Sequence, residues 1–227
     1  MKALQDKVRG LVEAGLQIDR VYDIGAHKGI WSRHMKRVLR DSEFVLFEAN
    51  KDHDEVLAQA GFPFLTGYAA HDGSVAMVPF SATGGTGDSV CQEQTAAYDG
   101  VEPQEIPTFT IDNAVSRGLG RPDFIKIDVQ GSESAVLRGA RDTLKTTSLI
   151  LIELPLVEYN EGASIAEVLP LLKDFVPILM SEQHFIDGVL IQFDVLYLRK
   201  DLHKKLHMIE EPFLNLLRSR DGSVRPK

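Results

Sequence analysis

Short apolar runs alternate with amphipathic segments along most of the chain, and this alternation constrains the fold more than any other feature of the sequence. Apolar runs occur at RVYDIG (20–25), EFVLFEAN (43–50), DFIKIDV (123–129) and SLILIEL (148–154), and each is followed by a segment with apolar residues at helical spacing. Such alternation is typical of an open, mostly parallel sheet with helices on both faces. We therefore expect an α/β protein.

The final apolar runs predict a different connection. The last two predicted strands are VPILM (176–180) and GVLIQFDVLYLRK (188–200), and only SEQHFID separates them. A parallel connection needs a crossover of about a dozen residues or more, so we expect the sheet to end in an antiparallel hairpin. Earlier in the chain, residues 62–70 are predicted to form the third strand and residues 132–144 a single helix.

These patterns divide the chain into three parts. We expect an N-terminal helix within residues 1–19, one α/β domain over residues 20–200, and a C-terminal helical extension with a basic tail over residues 201–227. The segment EEPFLNLL (210–217) is compatible with a homodimer contact or with a core helix.

Charge and cysteine content exclude several classes of protein. The chain has 33 acidic and 25 basic residues and a net charge of −8, which disfavours nonspecific binding to nucleic acid. Cys91 is the single cysteine, so neither an intrachain disulfide nor a cysteine-based zinc site can form. The sequence has no uncharged apolar stretch of about 18 residues and no signal-peptide pattern at its start. We expect a cytoplasmic protein with no membrane partner.

Polar and mostly acidic residues follow the predicted strands. In an open parallel sheet, ligands bind outside the carboxyl ends of the strands. The residues at these ends are Asp23, Gly25, Glu48, Asn50, Ala70, His71, Asp72, Asp128, Gln130 and Glu153. Turn formation and helix capping are the alternative explanation for most of them. Glu48 fits that explanation poorly, because glutamate is a poor cap and follows the apolar run FVLF.

The stretch VYDIGAHKGIWS (21–32) indicates the kind of ligand. A dinucleotide fingerprint has a glycine two residues after the first one, where the backbone approaches the pyrophosphate. Here His27 occupies that position, while Gly25 and Gly29 keep the tight turn and the close packing of helix on strand. A ligand with an adenosine but no phosphates fits better, and Glu48 is placed to bind its ribose hydroxyls. S-adenosylmethionine is such a ligand; an NAD(P)-dependent oxidoreductase remains the alternative on fold alone.

Lys126 lies in the middle of an otherwise apolar predicted strand. A buried lysine needs a carboxylate partner or a shifted pKa. Side chains alternate along a strand, so Lys126 shares a face with Asp128, and Asp23 and Glu153 are candidate partners on neighbouring strands. We interpret Lys126 as a structural ion pair rather than a catalytic group.

The segments DIGAHKG, FEAN, GTGDS, TFTID, FIKIDVQGSESAVLRGA and LILIELPLVEYN, in this order, resemble the FkbM family of methyltransferases over roughly residues 20–160. The family usually has K-I-D-V-E-G-x-E, so Gln130 stands where a glutamate is common. The resemblance implies a Rossmann-like class I methyltransferase fold with a seven-stranded sheet. It also implies S-adenosylmethionine as cofactor and O-methylation, often of a hydroxyl on a sugar, polyketide or other secondary metabolite.

The resemblance also implies roles for individual residues. Asp23, Gly25 and His27 are expected at the methionine end of the cofactor, Glu48 at the ribose, and Ala70 with His71 beside the adenine. Gly29 and Asn50 complete the predicted cofactor site. Asp128 is expected to face both the sulfonium and the acceptor.

An alcohol acceptor needs a base to remove its proton. Asp128 is our first candidate for this catalytic base, followed by His71 and Glu153. Oxygen atoms of Asp128 and Glu153 also match the ligands that Mg²⁺ prefers, although two carboxylates are weak evidence for a metal. We predict no protein-held metal site. His53, on a charged helical segment, is predicted to be solvated, and the stretch SATGGTGDS (81–89) to act as a lid.

Two other functions are considered. A non-catalytic cofactor-binding or scaffold protein that keeps the pocket is one alternative, and the presence of Asp23, Glu48, Asp128 and Glu153 together argues against it without deciding. A nucleic-acid methyltransferase of the amino-methylating kind carries an N-P-P-Y-like tetrapeptide after the fourth strand, and this chain has none there. We expect a small-molecule or glycan acceptor.

Overall fold

The computed structural model describes residues 1–85, 87–91, 98–156, 162 and 164–206. Its strands, in chain order, are β1 (Arg20–Ile24), β2 (Glu43–Glu48), β3 (Phe64–Thr66), β4 (Ala69–Ala70), β5 (Met77–Phe80), β6 (Gln104–Phe109), β7 (Phe124–Ile127), β8 (Leu149–Pro155), β9 (Phe175–Ile186) and β10 (Val189–Arg199). Seven of them form the main sheet in the order β3-β2-β1-β7-β8-β10-β9, and β4, β6 and β5 form a small second sheet. The predicted seven-stranded α/β fold is confirmed.

Eight helices accompany the strands in the described part of the chain. They are α1 (Lys2–Glu13), α2 (Ile30–Met35), α3 (Asp54–Ala60), α4 (Ile111–Ala114), α5 (Glu133–Arg138), α6 (Arg141–Leu144), α7 (Ile165–Val168) and α8 (Lys200–Leu206). Single 3₁₀ turns precede α3 and follow α7, and a π turn follows α4. None of these helices combines the length and the apolar character needed to cross a membrane.

The main sheet is covered on both faces, as the alternation of apolar residues requires. Tyr22 and Phe47 belong to the core layer that α5 and α7 cover, whereas Val21 and Leu46 belong to the opposite layer. Successive side chains of a strand point to opposite faces, so each apolar strand supplies both layers. Helix α1 joins the second layer through buried apolar side chains: Leu4, Val8 and Leu11.

The closing hairpin is antiparallel, as predicted. Strand β10 pairs antiparallel with both β8 and β9, whereas β1, β2, β3, β7 and β8 pair in parallel. The turn is formed by Asp187 and Gly188, whose φ angles are 50° and 80°. Positive φ at both central residues is the mark of a type I′ turn, which matches the twist of paired strands. Residues 181–186, predicted as a connection, extend β9 instead.

Two predicted elements are broken by tertiary contacts. Residues 62–70 form β3 and β4 rather than one strand, because the chain turns at Gly67, with φ 73°, where its N–H donates to Glu48 O at 3.0 Å. Residues 132–144 form α5 and α6 rather than one helix. The break is at Gly139, where a Cβ would lie 2.0 Å from the carbonyl oxygen of His71. The segment 207–227, with the predicted tail and EEPFLNLL, lies outside the described residues.

Candidate active site

A cavity of about 560 Å³ opens at the carboxyl edge of the main sheet. It is bounded by the ends of β1, β2, β7 and β8, by loop residues between β5 and β6, and by the closing hairpin. The structure brings six of the predicted site residues to its lining: Gly25, His27, Glu48, Ala70, Asp128 and Glu153. Among the described lining residues, Asp23, Gly29, Asn50 and His71 are not included.

The turn between β1 and α2 is held against β7 so closely that only glycine fits. Gly25 has φ 76°, and a Cβ there would lie 1.7 Å from the carbonyl oxygen of Asp128. Gly29, with φ 67°, lies against Leu46, whose Cδ2 would be 3.2 Å from an added Cβ. These contacts explain the glycine spacing in the sequence: one glycine for a close backbone approach and one for helix packing.

Glu48 is buried at the end of β2 with both carboxylate oxygens engaged by backbone. The N–H of His27 donates to Oε2 at 2.5 Å, and the N–H of Asn50 donates to Oε1 at 2.8 Å. Burial raises the pKa of Glu48, and these two hydrogen bonds oppose the rise. Each carboxylate oxygen has two acceptor sites, so Glu48 keeps acceptor capacity for a pair of ligand hydroxyls.

His27 packs against a second imidazole. The ring centroids of His27 and His53 are 4.4 Å apart and the rings are nearly perpendicular, at 89°. His53 is 7% exposed, with Nδ1 3.9 Å from Glu48 Oε1, so the prediction that His53 is solvated is wrong. Burial, together with the charges of His53 and Lys28, lowers the pKa of His27 and favours its neutral form.

Lys126 forms the predicted ion pair and extends it. Its Nζ lies 3.3 Å from Asp23 Oδ1 and 3.1 Å from Asp128 Oδ2, and it donates to Gly25 O at 2.8 Å. Asp23 is fully buried and also accepts a hydrogen bond from Ser32 Oγ at 2.6 Å. Burial acts to lower the pKa of Lys126, but the two carboxylates outweigh it and raise the pKa above its ordinary value.

Two amides join the carboxyls on the other side of Asp128. Gln130 Nε2 donates to Asp128 Oδ1 at 2.9 Å and to Glu153 Oε2 at 2.7 Å. Gln192 Nε2 donates to Glu153 Oε1 at 2.6 Å. A glutamate at position 130 has no N–H to donate, so the bridge depends on the amide that this chain has there.

The pKa values of the two bridged carboxyls, Asp128 and Glu153, are shifted in opposite directions. Burial acts to raise the pKa of Asp128, but the Lys126 ammonium and the Gln130 amide outweigh it, and the pKa is lower than usual. Burial and the charges of Asp128 and other nearby carboxyls raise the pKa of Glu153 to about 9. At neutral pH Asp128 is therefore ionised, while Glu153 holds a proton.

Glu133 is a buried residue beside the site whose contacts the sequence interpretation did not predict. It is 1% exposed, and its carboxyl accepts the N–H groups of Val129 at 3.2 Å and Gly131 at 3.1 Å. These bonds fix the turn in which Gln130 takes φ 54°. Burial raises the pKa of Glu133 to about 7. Glu133 is the last residue of the K-I-D-V-E-G-x-E pattern, but a glutamate just after the β7 turn also suits a helix N-terminus, so its contacts were not predicted.

The described part of the loop between β5 and β6 is hydrogen-bonded to the site at two points. Asn50 Nδ2 donates to Asp88 Oδ2 at 2.7 Å, and Ser89 Oγ donates to Gln130 O at 2.6 Å. Ser81 and Ser89 pair through their backbones and close the base of the loop. The predicted lid segment thus contacts both sides of the cavity, and Asp88 and Ser89 line it.

The structure gives less support to His71 as a base and to Asp128 with Glu153 as magnesium ligands. His71 Nδ1 lies 2.9 Å from Asp72 Oδ1, beside β4 and away from the described lining. Within the described residues, no group of three or more His, Cys, Asp or Glu side chains is arranged to hold a metal ion. Among these residues the geometry gives Mg²⁺ no group of three such ligands. Of the base candidates, Asp128 and Glu153 lie within the cavity, and Asp128 is the one ionised at neutral pH.

Comparison with known proteins identifies the family. Residues 23–176 match the methyltransferase FkbM domain. Hexuronic acid methyltransferase AglP from Haloferax volcanii is 23% identical over 162 residues, which cover 68% of this chain. The chain spans about 63% of the length of that relative.

Solved structures of methyltransferases are similar at low sequence identity. Magnesium protoporphyrin IX methyltransferase from Synechocystis PCC 6803, solved with bound SAM, has a TM-score of 0.47 and 11% identity over 87% of this chain and 79% of that one. The O-methyltransferase TomG from Streptomyces achromogenes, also in complex with SAM, has a TM-score of 0.47 and 17% identity over 87% of this chain and 80% of that one.

The family match begins at Asp23 within β1 and ends at the start of β9, so it includes every predicted site residue from Asp23 to Glu153. It confirms the predicted family and its cofactor, S-adenosylmethionine, and it disfavours the oxidoreductase alternative. The chain belongs to the FkbM family of S-adenosylmethionine-dependent methyltransferases.

Proposed function

We propose that this chain transfers a methyl group from S-adenosylmethionine to a hydroxyl oxygen of a small-molecule or sugar acceptor. One observation carries the proposal: an ionised Asp128 and a protonated Glu153 lie in one cavity, joined by the Gln130 amide. Carboxyl pairs whose pKa values are pushed apart in this way are typical of acid–base sites.

The cofactor half of the cavity suits an adenosine that carries no phosphates. His27 stands where a pyrophosphate would need a glycine, and Glu48 offers a buried carboxylate for the ribose hydroxyls. Two buried donors or acceptors on this side, His27 Nε2 and Trp31 Nε1, have no hydrogen-bond partner in the described part of the chain. A bound cofactor or acceptor would supply partners for both.

Bound S-adenosylmethionine would supply a methyl group that is already activated by a sulfonium, and S-adenosylhomocysteine would be the product that remains. The protein then has to align the acceptor hydroxyl and remove its proton. Asp128 takes this proton as the oxygen–carbon bond forms and the carbon–sulfur bond breaks. Lys126 and Gln130 hold the Asp128 carboxylate in place, one at each oxygen.

The sugar class of acceptor is supported by the relative from Haloferax volcanii, which is described as a hexuronic acid methyltransferase. TomG, one of the solved proteins of similar structure, is described as an O-methyltransferase. Cavity chemistry agrees with an acceptor rich in hydroxyl groups, because the acceptor side is lined by carboxyl and amide groups rather than by aromatic ones: Asp128, Gln130, Glu153, Gln192 and Asp194.

The test combines binding with turnover. We expect wild-type protein to bind S-adenosylhomocysteine in a calorimetric titration and not to bind NAD. With S-adenosylmethionine and a panel of hydroxylated sugars, mass spectrometry should detect a methyl ether. Asp128→Asn should lower its rate about a hundredfold or more while the affinity for S-adenosylhomocysteine is kept.

Asp142→Asn is the matched control, because Asp142 is exposed and pairs only with Lys145 at the surface among its described partners. Binding of NAD without S-adenosylhomocysteine would contradict the proposed cofactor. Equal turnover by Asp128→Asn and wild type would remove Asp128 from the role of base.

A further inference from the structure

Three polar side chains form a row across the last three strands of the sheet. Asp194 on β10 is the register partner of Glu153 on β8, and Ser181 on β9 is the register partner of Asp194. Register partners in an antiparallel ladder point to the same face of the sheet. We call these three residues the acidic row; its two carboxyls line the active-site cavity.

The carboxyls of the acidic row have no cation of their own. Two carboxylates directly opposite each other destabilise a ladder. Neither Glu153 nor Asp194 forms an ion pair with any described residue. The side-chain groups that donate hydrogen bonds to Glu153 are the neutral amides of Gln130 and Gln192.

The positive groups that line the cavity are engaged or face elsewhere. Lys126 is shared between two other carboxylates, and the amino group of Met1 pairs with Glu182. Lys28 is exposed on the turn between β1 and α2. The described lining includes no arginine. A ligand with a negative charge would therefore meet no free cation at the acidic row, whereas a positive ligand would meet two carboxyls.

Ser181 is a second polar residue of the row whose hydrogen-bonding capacity is unused within the described part of the chain. The residue is 9% exposed, and its hydroxyl is buried without a hydrogen-bond partner among the described residues. An unpaired buried hydroxyl costs free energy, so such groups normally have a partner. Ser181 is the register partner of Asp194 but is not part of the described cavity lining, so a ligand group would have to reach past Asp194 to bond its hydroxyl.

We propose that the acidic row binds an ammonium group of the methyl acceptor, so that the acceptor is an amino sugar or a related amino alcohol. The inference rests on the proposed function, because it places the acceptor hydroxyl at Asp128. Gln130 joins Asp128 to Glu153 by two hydrogen bonds, of 2.9 and 2.7 Å. The acceptor's amine and its reacting hydroxyl thus lie on neighbouring carboxyls.

Proton affinity gives this subsite a measurable signature. Burial and nearby carboxyls raise the pKa of Glu153 to about 9 and that of Asp194 to about 7. An ammonium group beside them stabilises their ionised forms, so its binding releases protons and weakens as pH falls. The other titratable groups around the row are Lys126 and Asp128 from the β7 side, Glu133 from α5, Glu182 and His184 from β9, and the amino group of Met1, which acts with Lys126 to lower the pKa of Asp194 against the effect of burial.

The experiment titrates the protein's complex with S-adenosylhomocysteine, using glucosamine, glucose and glucuronate as probes, in two buffers that differ in ionisation enthalpy. At about pH 7 we expect glucosamine to bind about tenfold more tightly than glucose, with release of protons. Glucuronate should bind most weakly. Equal binding of glucose and glucosamine, tighter binding of glucuronate, or no binding of glucosamine would overturn the proposal.

Two Asp→Asn variants on the closing hairpin test whether the preference for glucosamine depends on Asp194. Asp194→Asn should remove the preference for glucosamine, whereas Asp187→Asn, at the exposed turn, should retain it. If Asp194→Asn instead weakens S-adenosylhomocysteine itself, the row holds the cofactor's own ammonium and the proposal fails. If Asp194→Asn does not fold, the three probes on wild type still decide.

The outcomes separate this inference from the proposed function. Wild-type protein that does not bind S-adenosylhomocysteine would refute the proposed function. Protein that binds S-adenosylhomocysteine but shows no preference for the amine would refute only the ammonium subsite.

Discussion

The ammonium of Lys126 lies 3.1 Å from a carboxylate oxygen of Asp128, and the same ammonium neutralises Asp23 from 3.3 Å beneath the cavity. One buried cation therefore serves a structural carboxylate and a candidate catalytic one. Asp23 has 0% exposure, so it has no access to water that could replace the lysine.

Replacing Lys126 should therefore cost stability as well as activity. Lys126→Met leaves Asp23 buried without its cation, and we expect the free energy of unfolding to fall by about 3–5 kcal/mol. Denaturant titration measures this loss. Lys145→Met, which removes an exposed pair with Asp142, should leave the free energy of unfolding almost unchanged, because exposed ion pairs contribute little. Similar losses in the two variants would contradict a buried role for Lys126.

Glu48 should control affinity for the cofactor. Glu48→Gln replaces one of the carboxylate oxygens that accept the N–H groups of His27 and Asn50 and weakens any bond to ribose hydroxyls. We expect affinity for S-adenosylhomocysteine to fall about tenfold to a hundredfold in calorimetric titration. Glu43→Gln, at the exposed start of the same strand, is the control and should bind as wild type does.

Alanine substitutions at Gly25 and Gly61 separate the cost of a positive φ from the cost of a steric clash. Both have φ 76°, but an added Cβ lies 1.7 Å from Asp128 O at Gly25 and meets nothing within 4 Å at Gly61. Gly61→Ala should cost only about 1 kcal/mol, from the positive φ. Gly25→Ala must also move β7, so its loss should be larger and S-adenosylhomocysteine binding should disappear. Equal thermal denaturation midpoints would show that the β1–α2 turn can relax.

Gln130→Glu would restore the residue that is common in the family at this position. It removes the two amide hydrogen bonds to Asp128 and Glu153 and adds a carboxyl between them. An added negative charge beside Asp128 raises its pKa, so the proposed base is ionised only at higher pH. We expect the acidic limb of the pH–rate profile to move upward. An unchanged limb would indicate that Asp128 titration does not govern turnover.

Glu133 should make stability depend on pH in an unusual direction for a carboxyl group. Burial raises its pKa from 4.5 to about 7 in the folded state, so the folded protein binds more protons than the unfolded chain over this window. Stability is then greatest below the lower value and declines as pH rises through the higher one. Glu133→Gln should flatten the decline in urea titrations between those pH values. The exposed Glu167→Gln should leave it unchanged.

Local sequence patterns were sufficient to predict the strands that carry the site and the edge of the sheet at which it lies. Apolar runs predicted the strands, and polar residues at their ends predicted the edge where Gly25, Glu48, Asp128 and Glu153 meet. Alternation along β7 put Lys126 and Asp128 on one face, and the ion pair follows from that. These inferences need only the periodicity of a strand and the rule that ligands bind at carboxyl ends.

Residues from distant elements could not be predicted in the same way. Asp194 reaches the cavity because of the antiparallel register that pairs it with Glu153, and register is not visible in one strand's sequence. Asp88 reaches Asn50 through a loop without periodicity. His53 is buried because His27 and Glu48 pack over it, although its neighbours in sequence are charged. Each of these placements depends on tertiary contacts rather than on local pattern.

The loop between β5 and β6 has a kinetic consequence. Its hydrogen bonds from Asn50 to Asp88 and from Ser89 to Gln130 span the ribose side and the acceptor side of the cavity. We expect a cofactor that enters or leaves under this span to require both bonds to open, and an acceptor that approaches from the closing hairpin not to require it. We therefore expect an ordered reaction, in which S-adenosylmethionine binds first and S-adenosylhomocysteine departs last and limits the turnover rate.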